Sequence, residues 1–285
     1  MHTRSQTEPR LLLDGLAFPE SPRWHGGRLW FADWGAGEVI STDLEGRREV
    51  EARVTSFPMC IDHLPDGRLL IVASSDQRIL RRGRDGSLVT HADLAAVSDH
   101  PWNDIVVDGR GNAYVNNIGF EFPEGEFAPG SLWMVGPDGS IRPAADDLAF
   151  PNGMAVTPDG ATLIVAESYG SRLTAFDIEV DGSLANRRVW ADVEGNPDGI
   201  CLDAEGAVWF ADVGRQRCVR VREGGEVLDV IDLDRGCFAC ALGGPDGRTL
   251  FVVANEWGAA SGTDAGGPKG QVLTVPAPAP AAARQ

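Results

Sequence analysis

A chain of 285 residues, 43% of them apolar, is long enough for one large domain or two ordinary ones with a core of their own. Its formal charge of −17 sets it against nucleic acid and acidic membrane surfaces, and no apolar run reaches the roughly 18 residues that a bilayer span requires. Five cysteines, an odd number, and the lack of a charged-then-apolar leader argue against a secreted disulfide framework, so the compartment read from the sequence is the cytoplasm.

In chain order, "MHTRSQTEP" lacks apolar periodicity, and residues 1–9 are expected to be a disordered tail. "RLLLDGLAF" (Arg10 to Phe18) then reads as a strand. Six turn-and-strand phrases follow: "HGGRLWFADW", "LPDGRLLIVAS", "VDGRGNAYVNN", "TPDGATLIVAES", "LDAEGAVWFADV" and "GGPDGRTLFVVAN". Their turn glycines, Gly27, Gly67, Gly111, Gly160, Gly206 and Gly247, are spaced by 40, 44, 49, 46 and 41 residues. Each phrase runs on into a second alternating segment, such as "GEVISTDLEG" or "GSLWMVGPDG", so one unit amounts to about four short strands. A unit of that kind, repeated six times, predicts an all-β chain folded as a six-bladed β-propeller over residues 10–276. A sandwich has no reason to repeat one turn chemistry six times. "GQVLTVP" (Gly270 to Pro276) is predicted to share a sheet with Arg10 to Phe18 and so close the ring, leaving 277–285 as a second tail, disordered or extended.

Counting back eight residues from Gly111, Gly160 and Gly206 reaches Asn103, Asn152 and Asp198; seven before Gly27 stands Glu20. In a rotational repeat these four positions fall on a ring about the axis. The other two blades offer Met59 or Cys60, and Ala239 or Cys240. Two carboxylates and two amides would be costly to gather without a cation, and an all-oxygen set suits a hard ion, Ca²⁺, Mg²⁺ or Mn²⁺, though Zn²⁺ also accepts carboxylates. Asn and Asp also serve as plain turn residues, and only their recurrence at one repeat phase favours a site.

The segment from Asn116 to Trp133, "NNIGFEFPEGEFAPGSLW", is longer than its hairpin needs and is expected to lie over the channel mouth. Phe120, Phe122 and Phe127, with Trp102 nearby, then either form an apolar substrate wall or pack on one another as a surface loop. Trp34, Tyr169 and Trp257 follow innermost strands and are further candidates for the mouth. His100 adjoins "PWND" and is either a mouth residue or a solvated loop histidine. Cys237 and Cys240 form a C-x-x-C pair with no second pair to complete a zinc site, and strand alternation is expected to turn them to opposite faces as structural thiols. No G-x-S-x-G elbow, phosphate loop or dinucleotide fingerprint occurs.

The phrases "FPESPRW", "PWNDIVVDGRGNAYV", "FPNGMAVTPDGATLIVAES", "AFDIEVDGSLANRRVWADV" and "NPDGICLDAEGAVWFADV" resemble the senescence-marker-protein, gluconolactonase and luciferin-regenerating-enzyme family, which includes the regucalcin-type lactonases. The likeness runs from about Leu11 to Val275. It implies a six-bladed propeller and a divalent ion held by Glu20, Asn152 and Asp198, with Asn103 beside the ion as a further ligand or a substrate contact. The sugar lactonases of that family also use an Arg two residues before this Asn and a Glu further along the blade. Here the Arg position is Pro101, which weakens the case for a sugar-acid lactone, while Glu121 falls in the region of the Glu.

Together these readings imply a metal-dependent hydrolase that opens a lactone ring, with a channel cation polarising the carbonyl and binding the attacking water. Asp198 is the first choice for the base and Glu20 the second, with Asn103, Glu121, Trp102 and His100 against a small-molecule lactone or ester. An apolar wall and the missing Arg favour a less polar substrate. The alternatives are an aryl-ester or organophosphate hydrolase of the same fold, and a non-catalytic metal-binding or interaction propeller. Neither the physiological metal nor the oligomeric state is legible in the sequence.

Overall fold

Residues 8–256 and 267–283 are described by a computed structural model, and among them every regular element is a strand. After β1 (Arg10–Leu16), the first blade is β2 (Pro19–His25), β3 (Arg28–Asp33), β4 (Glu38–Thr42) and β5 (Arg48–Arg53). The second is β6 (Met59–His63), β7 (Leu69–Ala73), β8 (Arg78–Arg82) and β9 (Leu88–Asp93), and the third β10 (Trp102–Val107), β11 (Ala113–Asn117), β12 (Gly130–Val135) and β13 (Ile141–Leu148). The fourth is β14 (Pro151–Val156), β15 (Thr162–Glu167), β16 (Arg172–Ile178) and β17 (Leu184–Asp192), and the fifth β18 (Pro197–Leu202), β19 (Val208–Asp212), β20 (Arg217–Val221) and β21 (Val227–Asp232). The sixth blade is β22 (Gly236–Gly243), β23 (Thr249–Asn255) and β24 (Gly270–Pro276), completed by β1 on its outer edge. These are six antiparallel four-stranded sheets, the all-β propeller that the repeat predicts.

Ring closure follows the expected route. β1 pairs antiparallel with β24, Arg10 opposite Thr274 and Leu16 opposite Gly270, so the two ends of the chain share one sheet. The repeated turn chemistry has a backbone cause. All six turn glycines sit at positive φ, from 69° at Gly160 to 87° at Gly111, a region in which a Cβ is strained.

The second strands of the blades are largely buried on both faces; β7 (LLIVA) and β19 (VWFAD) are covered along their whole length. The outermost strands, such as β5 (REVEAR), are largely open to solvent. Each blade therefore packs its two faces against its neighbours. One apolar cluster joins blades two and three through Val72, Trp102 and Val115, and another joins blades three and four through Tyr114, Met154 and Val165. Further clusters lie at the remaining blade contacts. No blade buries its apolar surface alone, which is why the unit had to be repeated until the ring closed.

The tail after Pro276 differs from the expectation over 277–283. It is strapped across blades five and six: Ala277 N donates to Arg248 O at 2.8 Å, Ala281 N to Gly247 O at 2.8 Å, and Ala204 N to Pro280 O at 2.8 Å. Within it, Ala277 and Ala279 are buried. Small side chains let this strap lie flat on the blade edges, so a composition that reads as a flexible linker is here a fitted seam. Of the expected N-terminal tail, residues 1–7 lie outside the described residues, as do 284–285.

Candidate functional site

Glu20, Asn103, Asn152 and Asp198 are each the second residue of an innermost strand, on β2, β10, β14 and β18. All four line one cavity of about 1100 Å³ at the end of the channel where those strands begin. Cys60 of β6 and Cys240 of β22 fill the other two sectors.

Local irregularity aims these side chains. The ladder between first and second strand skips between Glu20 and Arg23, Trp102 and Ile105, Pro151 and Met154, and Pro197 and Ile200. A fifth shift falls between Cys237 and Ala239. Blade two, with Cys60 at this level, keeps an unbroken ladder. An extra residue bends a strand and turns the side chain beside it, so all four oxygen-bearing positions stand at bulges. The glycines of "NG" and "DG" belong to the same device. A Cβ on Gly153 would meet Asp198 O at 2.6 Å, and one on Gly199 would meet Ala239 Cα at 2.7 Å, so both let adjacent inner strands close in at the neck.

The amides are oriented by neighbouring blades. Asn103 Nδ2 donates to Pro151 O at 3.3 Å, and Asn152 Nδ2 to Ser168 Oγ at 3.2 Å. Ser168 Oγ donates in turn to Pro197 O at 2.7 Å. Asn116, on β11, supports from behind: its Oδ1 accepts from Asp104 N at 2.9 Å and its Nδ2 donates to Asn152 O at 2.6 Å.

Beneath the ring lies a second polar layer. Arg23 Nη2 donates to Asp104 Oδ1 at 3.1 Å and to Ile105 O at 2.8 Å, and its Nε stands 3.8 Å from Asp62 Oδ1. Asp104 Oδ2 accepts from Met154 N at 3.1 Å, and Asp62 accepts from Val107 N at 2.8 Å. The layer thus ties four inner strands together. It also divides the channel, because Arg23 borders both the upper cavity and a second one of about 800 Å³ at the opposite end.

The upper ring holds more acid than the layer below neutralises. Burial, opposed by the Ser21 amide and reinforced by the charge of Asp104, pushes the Glu20 carboxyl up to about 8. Burial, then the charges of Glu20 and Asp104, drives Asp198 well above the ordinary carboxylate range. Asp104 is also raised by burial, against the pull of Arg23. Among the described residues, Arg23 is the one basic side chain that lines this cavity.

These shifts carry a stability consequence. Between about 4.5 and 8, Glu20 holds its proton when folded and releases it when unfolded, so its contribution is full below about 4.5 and is lost as pH rises toward 8. In urea unfolding of chelator-treated protein, the wild type should lose roughly 2–3 kcal/mol more than Glu20→Gln between pH 5 and pH 8, each pKa unit being worth about 1.4 kcal/mol. Equal slopes for the two proteins would contradict this account of the ring.

The other expected contacts divide. Trp34 and Tyr169 line the cavity, as does Phe122 of the 116–133 segment. Phe120 is buried behind the wall and Phe127 packs on its outer side, 5.7 Å from the rings of both Phe120 and Tyr169. The segment is therefore both an apolar wall and a self-packed cluster. Three expected contacts fall elsewhere. Trp102 is fully buried between blades two and three, because its side chain points away from the axis while that of the next residue, Asn103, points toward it. His100 is exposed ahead of β10 and uses its carbonyl to accept from Asn117 Nδ2 at 2.7 Å. Glu121 is exposed, and its neighbour Phe122 takes the cavity side. Trp257 lies outside the described residues.

The C-x-x-C pair also differs from expectation. Cys237 and Cys240 both pack into the core between blades five and six, with Cys218, whereas Phe238 and Ala239 face blade one. The shift between Cys237 and Ala239 cancels the alternation that would have separated the two thiols.

Sequence reasoning missed Arg23, Asp62, Asp104 and Asn116. Each is a polar residue on an inner or second strand, and Arg23 and Asp104 lie within the quoted "FPESPRW" and "PWNDIVVDGRGNAYV". Among the described residues no three His, Cys, Asp or Glu side chains gather as a metal cluster. Two carboxylates together with two amide oxygens form a different set, all oxygen, in a site short of positive charge.

Residues 18–256 match the model of the SMP-30/gluconolactonase/LRE-like region. Regucalcin of Xenopus laevis is 29% identical over 250 residues, covering 82% of this chain and 82% of the relative. A pentonolactonase of Haloferax volcanii is 26% identical over 258 residues, covering 87% and 84%. Among solved structures, a gluconolactonase of Xanthomonas campestris superimposes with a TM-score of 0.77 at 25% identity, over 96% of this chain and 97% of that one.

Proposed function

We propose that this chain, which belongs to the SMP-30/gluconolactonase/LRE-like family, is a cation-dependent hydrolase that opens a lactone ring in the upper cavity. Relatives named as lactonases support lactone hydrolysis. The observation that carries the finer reading is the convergence of Glu20, Asn103, Asn152 and Asp198 from one strand position on four blades.

The donor set fits a hard divalent ion. It is all oxygen, and its two carboxyls are raised by burial and by neighbouring negative charge, Asp104 acting on Glu20 and both Glu20 and Asp104 on Asp198. Glu20, Asn152 and Asp198 would hold the ion and Asn103 would stand beside it, with Ca²⁺ the first choice and Mn²⁺, Mg²⁺ and Zn²⁺ also suited to the donors. Such a cation supplies Lewis-acid polarisation of the lactone carbonyl and a lowered pKa for water.

The chain's own residues do the rest. Asp198 is the base that takes the water proton, with Glu20 second; both carboxyls line the cavity beside the place proposed for the ion. The water oxygen adds to the carbonyl carbon, the ring C–O bond breaks, and the proton passes to the leaving alkoxide, giving a hydroxy acid. Asn103 orients the substrate oxygens, and Asn116 and Ser168 hold the strands that carry the ring. All five cysteines are unpaired, which accords with a reducing compartment, here proposed to be the cytoplasm.

Chelator-treated protein should be assayed against lactones, aryl esters and phosphotriesters, with and without Ca²⁺, Mn²⁺, Mg²⁺ and Zn²⁺. Lactone turnover that returns with one of these ions is expected. Ester or phosphotriester turnover alone would favour the related hydrolase, and no ion-dependent turnover of any class would leave the non-catalytic propeller.

A further inference from the structure

From the walls above the ring we infer that the substrate is a neutral lactone bearing an apolar alkyl or aryl substituent, selected by two aromatic groups at the mouth; this rests on the lactone-hydrolase reading. Four aromatic side chains among the described residues are markedly exposed: Phe57 at 49%, Phe122 at 42%, Phe127 at 52% and Tyr169 at 51%. Phe57, Phe122 and Tyr169 line the upper cavity, and Phe127 packs against Tyr169. Exposed rings are costly in water, and their concentration at one mouth marks a surface that gains by being covered.

The rings form two arcs. On the side of blades one and two, Trp34 stacks on Phe18 at 5.2 Å and meets Phe57 edge-on at 5.3 Å. Between blades three and four, Phe150 lies 5.2 Å from Phe122 and 4.8 Å from Tyr169. Each ring is held by another ring, so the walls exist before a ligand arrives.

Charge excludes the alternatives. Pro101 lines the wall where the resemblance implies an Arg, and the single basic group of this cavity among the described residues, Arg23, is committed to Asp104 and Ile105 O below the ring. A carboxylate or phosphate on the substrate would find no cation on these walls, in a protein of formal charge −17. Above Ser21 and the ring amides Asn103 and Asn152, a polyhydroxylated ring would find uncharged polar side chains, among the described residues, chiefly at Ser168, Asn196 and Gln216, and both Ser168 Oγ and Asn196 Nδ2 already donate to backbone oxygens. The lactone carbonyl therefore belongs at the oxygen ring and the apolar substituent between the arcs.

The test is kcat/KM for γ-lactones of increasing alkyl chain, from butyro- to decanolactone, beside D-glucono-1,5-lactone, with the wild type, Phe57→Ser and Phe122→Ser. The wild type should gain up to about fourfold per added methylene, the factor to which ~0.8 kcal/mol of burial corresponds. In each variant the gain should fall below about twofold per methylene, with circular dichroism and thermal melting showing an intact fold. Decanolactone should exceed the gluconolactone by at least ~30-fold. Binding of γ-decanolactam, followed by tryptophan fluorescence, reads the walls without hydrolysis. A flat chain-length series, or a preference for the gluconolactone, would overturn this inference and leave the hydrolase reading standing. Tight lactam binding without turnover of any lactone would support the apolar pocket and sink the hydrolase reading instead.

Discussion

Asp198→Ala is expected to lower kcat/KM for the best lactone by about 10³-fold, while the cation-free protein becomes more resistant to unfolding at pH 8. Both effects come from one carboxyl. Asp198 stands half-buried at the neck, accepts a hydrogen bond from Asn152, and is raised by burial and then by the charges of Glu20 and Asp104. A folded-state pKa above the unfolded value contributes stability that is present at low pH and lost as pH rises through the folded value. Removing the group therefore relieves the fold most on the alkaline side. The pH slope of unfolding should therefore flatten in the variant. Glu20→Gln shares the stability effect but retains the preferred base, and its activity loss should be smaller if the roles are assigned correctly. A variant that keeps full turnover and full cation affinity, read by calorimetric titration with Ca²⁺, would remove Asp198 from both roles. One that loses activity with no rise in melting temperature at pH 8 would show the ring to be better solvated than its neighbours imply.

Rotational repetition made the fold and the ring legible. Gly27 and its five counterparts mark the turn after the inner strand, and a fixed count back from that turn reaches the strand's mouth whatever the loops do elsewhere. Residues outside that phase were harder to place. Trp102 directly precedes Asn103 yet is packed between blades, because adjacent strand residues point to opposite sides, and His100, ahead of the strand, faces solvent. Bulges made the opposite error: counting by twos put Cys237 and Cys240 on different faces, and a single register shift returned them to one. The Arg23 layer was missed for another reason. A buried ion network is a property of several strands at once, and no single phrase shows that Arg23, Asp62 and Asp104 meet.

That layer should be the most sensitive point in the channel. Arg23→Met is expected to cost about 3–5 kcal/mol of unfolding free energy, the usual result of leaving buried carboxylates without their partner. Arg23 is enclosed between Asp104 and Asp62; burial alone would ease off its proton, and the two carboxylates override that and hold it charged. Its fork also donates to Ile105 O and Pro22 O, joining the first and third blades in a way the single ammonium of lysine does not reproduce. Arg23→Lys should therefore recover only part of the loss. Arg23→Met combined with Asp104→Leu should recover more than Arg23→Met alone, because it removes an uncompensated charge together with its partner. The ring above should respond as well. Without Arg23, Glu20 and Asp104 face each other with no intervening cation, so Glu20 should rise further and the fall in stability between pH 5 and pH 8 should steepen. Urea unfolding of the three variants at both pH values decides the matter. A cost below about 1 kcal/mol for Arg23→Met would mean that water, not the protein, solvates Asp62 and Asp104, and that the two chambers of the channel are continuous.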